Sequence, residues 1–142
     1  MADGRRTFSI SLVTPDGAVF EDEAEMIIVP GDAGEIGVLA RHAPLIALLR
    51  AGSTRVYTSV DRGDVREFAT GPGFFTVEQD RALALVDTAV DVREIDPEVA
   101  ERQLEEARAE LERVERGETE ADRWQLEQRI KAAENQLTAA GR

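Results

Sequence analysis

The sequence predicts an α+β chain: an N-terminal antiparallel β-sandwich or flattened barrel over residues 1–91, then a C-terminal antiparallel two-helix hairpin over residues 92–142. Three observations lead there. Short runs rich in Val, Ile, Thr and Phe recur at roughly 8–12-residue spacing as far as residue 90, with Gly, Pro and Asp between them, as in an antiparallel sandwich. Near Asp96 the composition shifts to Glu, Ala, Arg, Leu and Gln, and the only later glycines are Gly117 and Gly141. Beyond that point apolar residues return in steps of four and three, the period of a helix buried along one stripe.

Thr7-Phe8-Ser9-Ile10-Ser11-Leu12 alternates polar and apolar, the period of a half-buried strand. Thr14-Pro15-Asp16-Gly17 is a turn. Val19-Phe20 resumes a strand before Glu21-Asp22-Glu23, a solvated strand edge whose charge discourages association. Ala24 to Val29 is the next strand. It enters a stretch from Val29 to Leu45 that holds three glycines, two prolines and the chain's one histidine, read as a long glycine-rich loop serving as a turn or a docking surface. An apolar run, Leu45 to Leu49, leaves that loop, and Ala51-Gly52 turns the chain. Thr54–Val60 and Val65–Thr70 pair about Asp61-Arg62-Gly63-Asp64. After the break Gly71-Pro72-Gly73, Phe74–Val77 and Ala82–Val86 pair about Gln79-Asp80.

Asp96-Pro97 starts the first helix, with the carboxylate capping free N–H groups and proline at the position where its missing donor does no harm. Ala100, Leu104, Ala107, Leu111 and Val114 form its stripe, and Glu98–Arg102 and Glu112–Arg116 are spaced as i,i+4 ion pairs. Gly117 terminates it, and Thr119 is expected to cap a second helix after a connection of about three residues. Leu126, Ile130, Ala133, Leu137 and Ala140 repeat the spacing, so the two stripes face each other with Trp124 off the seam. Two helices of about 20 residues burying one narrow seam are marginal alone, so the hairpin packs elsewhere or opens.

Net charge is −12, which disfavours non-specific contact with nucleic acid or an anionic bilayer. The absence of cysteine excludes disulfides, thiolate zinc sites and cysteine nucleophiles, and a single histidine excludes multi-His metal sites. No apolar run is long enough to span a bilayer, so no direct membrane insertion is expected. Met1-Ala2-Asp3-Gly4-Arg5-Arg6 lacks an apolar core, so no secretory signal is visible. No nucleophile elbow or triad spacing accompanies His42, the glycine loop lacks the Gly-Lys-Ser/Thr ending of a phosphate cradle, and Asp61 and Asp64 read as a solvated turn. A binding or structural protein without metal or cofactor is expected. A β-sandwich/helical-hairpin adaptor for an unrelated helical partner and a small enzyme using His42 are the competing readings.

Pro15 and Phe20, Val29-Pro30-Gly31 through Gly34-Glu35-Ile36-Gly37-Val38-Leu39, His42-Ala43-Pro44, Gly71-Pro72-Gly73-Phe74 and a terminal helical hairpin, in that order, resemble the epsilon subunit of the bacterial F-type ATP synthase. The resemblance covers nearly the whole chain. It implies a non-catalytic subunit of the rotating central stalk of a proton-translocating enzyme, peripheral on the cytoplasmic side of the inner membrane. The sandwich would grip the gamma subunit and sit on the c-ring through Gly31, Gly34, Glu35, Gly37, Arg41 and His42, with Glu35 toward the ring's polar loops and His42 near gamma. The hairpin would either lie folded on the sandwich or extend along gamma toward the alpha/beta catalytic head, where it would block ATP hydrolysis with Arg123, Arg129 and Lys131 as its contact cations. Two departures stand out. Ala40-Arg41 replaces the frequent Pro-Gly before the histidine, which adds a cation and removes two backbone constraints. The nucleotide motif Ile/Leu-Asp-x-x-Arg-Ala is matched at Ile95, Asp96 and Ala100, but Val99 replaces the arginine that would pair with phosphate.

Overall fold

The computed structural model describes residues 6–141; the stretch Met1 to Arg5, read above for a leader, lies outside the described residues, as does Arg142. The chain divides into two units, Met1–Asp91 and Val92–Arg142.

The first unit is a single ten-stranded sheet: β1 (Phe8–Thr14), β2 (Gly17–Ala24), β3 (Met26–Gly31), β4 (Gly34–Leu39), β5 (Leu45–Leu49), β6 (Gly52–Ser59), β7 (Asp64–Thr70), β8 (Gly73–Glu78), β9 (Arg81–Val86) and β10 (Ala89–Asp91). The order is β10-β7-β6-β3-β5-β8-β9-β1-β2, with β4 paired to β3. Strand β3 joins the two layers, pairing with β6 over Met26–Ile28 and with β5 at Gly31. The two ends of the order come near one another where β2 approaches β6 and β1 approaches β10. All ladders are antiparallel except β1 with β9, which run parallel from Ser9↔Arg81 to Val13↔Leu85.

The alternation in the sequence decides what is buried. Phe8, Ile10 and Leu12 of β1 point inward and join Ile27, Val29, Val38, Val56, Phe68, Phe75 and Ala84 in one core contained within this unit. The acidic run Glu21-Asp22-Glu23 is exposed on β2, the terminal strand of the order. Two short elements lie outside the sequence expectation: β10, and a 3₁₀ turn at Val92–Glu94.

In the second unit, α1 (Pro97–Glu115) and α2 (Arg123–Ala139) run antiparallel. Asp96 caps α1 by accepting from the Glu98 N–H at 3.0 Å. Gly117, at φ 75°, ends it. The Gly117 and Glu118 N–H groups return to the carbonyls of Val114 and Arg113, the paired bonds of a Schellman end. The second cap differs from expectation. Asp122, not Thr119, accepts from the N–H groups of Trp124 (2.9 Å) and Gln125 (3.3 Å), so the connection runs from Arg116 to Asp122. Both bonds go to Oδ1, and the carboxylate adds a negative charge at the positive helix end that a hydroxyl lacks.

Ala100, Leu104, Ala107, Leu126 and Ala133 are buried, and Trp124 is 65% exposed, off the seam as its spacing requires. Neither i,i+4 pair expected in α1 forms among the described residues; Arg116 turns to Glu118 at 3.0 Å instead. Pairs between the helices replace them: Arg108–Glu134 at 2.9 Å, Arg123–Glu115 at 3.1 Å and Arg129–Glu110 at 3.5 Å.

Candidate functional site

The residues singled out between Gly31 and His42 do not lie on one loop. The expected long loop is a β-hairpin: Gly31 pairs with Gly34 across the turn Asp32-Ala33, and β3 and β4 stay in register to Met26↔Leu39. Glycine content suggested irregular backbone, but all three glycines sit in strands, and only Gly31 and Gly34 are required there by crowding or by backbone conformation. A Cβ on Gly31 would stand 2.6 Å from the Gly34 carbonyl oxygen and 2.8 Å from Ile36 Cδ1. Gly34 has φ 138°, which other residues rarely adopt. Gly37 faces solvent, and a methyl added there would meet nothing nearer than Ile28 Cγ1 at 3.9 Å.

The hairpin therefore splits the candidate set into two groups. Gly31, Gly34 and Glu35 stand at its turn, while Arg41 and His42 follow the other end of β4, roughly 20 Å away at the rise of a strand. At the turn, the Glu35 carboxylate accepts from Arg55 Nη2 at 2.8 Å and remains more than half exposed. Between this turn and residues Ala47 and Leu48 of β5 lies a shallow depression of about 500 Å³. At the far end, Arg41 is exposed with φ 67°, and His42 is half-buried with Nδ1 2.6 Å from the Ala43 carbonyl oxygen.

Sequence reasoning missed the neighbouring surface. Leu48 of β5, Phe74 of β8 and Leu85 of β9 are direct cross-strand neighbours, 56, 56 and 46% exposed, and Ile46, two residues along β5, is 79% exposed. Four large apolar side chains so grouped mark a contact surface rather than scattered exposure. The signal was present as unbroken apolar runs, Leu45 to Leu49 and Leu83 to Val86. A strand with one wet face alternates, and one apolar on both faces is covered on both.

Several of the remaining candidates carry structural tasks. Asp96 caps α1 and Ala100 is buried, while Ile95 is half-buried just ahead of them. Arg123 pairs with Glu115 and Glu127, and Arg129 with Glu110. Lys131 is exposed and forms no ion pair among the described residues. Among those residues no group of three or more His, Asp or Glu could hold a metal ion, and no helix is long and apolar enough to cross a membrane.

Residues 7–92 match the family model of the ATP synthase delta/epsilon chain β-sandwich domain. The chain belongs to the ATP synthase delta/epsilon family. Similarity extends past the sandwich. The ATP synthase epsilon chain of Gloeothece citriformis is 34% identical over 135 residues, covering 95% of this chain and 96% of that one. The epsilon chain of Propionigenium modestum, described as sodium ion specific, is 37% identical over 105 residues, 74% of each. Among solved structures, a chain of the Euglena gracilis mitochondrial ATP synthase (OSCP/F1/c-ring, rotational state 1) matches with TM-score 0.73 and 27% identity, over all of this chain and 87% of that one. A chain of the Tetrahymena thermophila central stalk and c-ring shares the fold alone, at TM-score 0.51 and 14% identity over 65% of this chain and 72% of that one. The epsilon chain is an accessory subunit of the synthase, not a catalytic one.

Proposed function

We propose that this chain is the central-stalk rotor subunit that couples the gamma subunit to the c-ring of a proton-translocating F-type ATP synthase, peripheral on the cytoplasmic side of the inner membrane. The observation that carries the reading is the match to an epsilon chain over 95% of this sequence, spanning both units. The surface supports it. The turn holding Gly31, Gly34 and Glu35 presents an exposed carboxylate to polar ring loops, with Gly37 farther along the same hairpin. Arg41 and His42 stand roughly a strand length away, toward gamma. Leu48 borders the depression at the Glu35 turn and begins the row Leu48-Phe74-Leu85, so the apolar strip and the polar turn form one continuous surface.

Glu35→Cys in the assembled enzyme is expected to cross-link to a ring subunit under mild oxidation when a cysteine is placed in the ring's polar loop. A product with gamma alone, or none, removes Glu35 from the ring interface. The hairpin is the regulatory part of the proposal, with Arg123, Arg129 and Lys131 as the contact cations. Two of these already pair within the hairpin, so reaching an acidic partner costs the exchange of those ion pairs. Ile95, Asp96 and Ala100 keep part of a nucleotide motif, but Val99 stands where the arginine that would pair with phosphate is expected. Removing residues 97–142 is expected to leave the β unit folded on its own core and to raise ATP hydrolysis by the enzyme; unchanged hydrolysis makes the hairpin a structural appendage.

A further inference from the structure

The segment that carries His42 is fastened from outside itself. Arg41 adopts φ 67°, a left-handed conformation that is sterically unfavourable for any residue with a Cβ. Its N–H donates to Asp80 Oδ1 at 2.5 Å, across 39 positions of sequence. Asp80 and Gln79 form the two-residue turn between β8 and β9, closed by Glu78↔Arg81. Both have positive φ, 57° and 49°, the backbone of a type I′ turn. The Asp80 carbonyl accepts in turn from the Ser9 N–H of β1 at 3.0 Å. A two-residue turn of this type favours Asn, Asp or Gly, so the positive φ accounts for the residue type at position 80 but not for its carboxylate reaching the Arg41 N–H. A carboxylate bound to a backbone N–H is among the stronger hydrogen bonds a protein makes, and here it restrains the residue before His42.

We propose that Asp80 is a positioning residue of the gamma-facing surface: its carboxylate holds Arg41 left-handed and so sets where His42 is presented. This rests on the reading that His42 faces gamma. In place of the frequent Pro-Gly before the histidine, the chain carries a left-handed arginine tied to a neighbouring turn.

The test uses the full chain with Asp80→Gly and Asp80→Asn. Glycine keeps the positive-φ turn and deletes the carboxylate; asparagine keeps an acceptor oxygen and tolerates the same backbone. Titration with purified gamma subunit is expected to show binding weakened by about fivefold for Asp80→Gly, the size of one hydrogen bond's contribution, and binding near that of the unsubstituted chain for Asp80→Asn. The Arg41 amide proton, shifted downfield by the carboxylate, is expected to move upfield in the glycine variant. Gamma binding by Asp80→Gly equal to that of the unsubstituted chain overturns the proposal, as does an asparagine variant as weak as glycine or an Arg41 amide resonance that does not move. Failure of the unsubstituted chain to bind gamma overturns the functional reading itself, which is a different result.

Discussion

Gly73→Ala is expected to destabilise the β unit by about 3 kcal/mol or more. Gly73 opens β8 and pairs with Leu49 on one side and Val86 on the other. A Cβ built there stands 1.9 Å from the Leu85 carbonyl oxygen and 2.8 Å from Val86 Cα. All of these atoms are backbone, so no side chain can swing aside. Relief requires β8 to part from β9, next to Phe75 and Val77 in the core. In thermal melts the midpoint is expected to fall by roughly 12 °C or more for a unit of this size. Gly37→Ala is the control, because its methyl has open space around it apart from an ordinary contact with Ile28 Cγ1. A Gly73 variant that melts within a few degrees of the control would show that the ladder yields more easily than its geometry indicates.

Arg66→Ala is expected to cost about 2–3 kcal/mol in urea unfolding. The guanidinium sits 5.7 Å from the Phe20 ring centroid and 5.4 Å from that of Phe68, while those rings meet edge to face at 6.1 Å. Arg66 Nη2 also donates to Asp91 Oδ2 at 2.9 Å, and the Asp91 side chain is buried. One arginine thus ties together β2, β7 and β10, the last strand before the helical unit. Truncation removes both cation–π contacts and a counter-charge from a buried carboxylate, whereas replacing both charges by apolar residues removes the desolvation cost as well. Arg66→Met with Asp91→Leu is therefore expected to be more stable than Arg66→Ala alone. Equal losses in the two variants would mean that packing, not charge, carries the contribution. The exposed inter-helix pairs such as Arg108–Glu134 offer a contrast, since pairs of that kind are worth a few tenths of a kcal/mol and are screened by salt.

The elements most legible in the sequence are those with a local signal. The cap at Asp96, the stop at Gly117 and the hairpin at Gln79-Asp80 each depend on two to four neighbouring residues. Thr119 reads as a cap because a hydroxyl and a carboxylate three residues apart offer the same kind of signal, and the structure takes the stronger acceptor. The glycine stretch reads as a loop because glycine density speaks for close approach or positive φ without saying that the chain between remains a strand. Glu35 and His42 are assigned to different contacts in the sequence only through resemblance, since nothing local says that β4 holds them at opposite ends.

The sequence by itself determined the α+β class, the order of β unit and helical hairpin, and the lack of thiol chemistry, because periodicity and composition are properties of adjacent residues. Tertiary structure alone decided the parallel pairing of β1 with β9, the alignment of Leu48, Phe74 and Leu85 into an exposed row, the burial of Asp91 against Arg66 and the hold of Asp80 on Arg41. Each depends on at least one contact between segments distant in sequence. Which strand becomes a neighbour is settled by how a twisted sheet closes around its core, and a period-two pattern does not encode that choice.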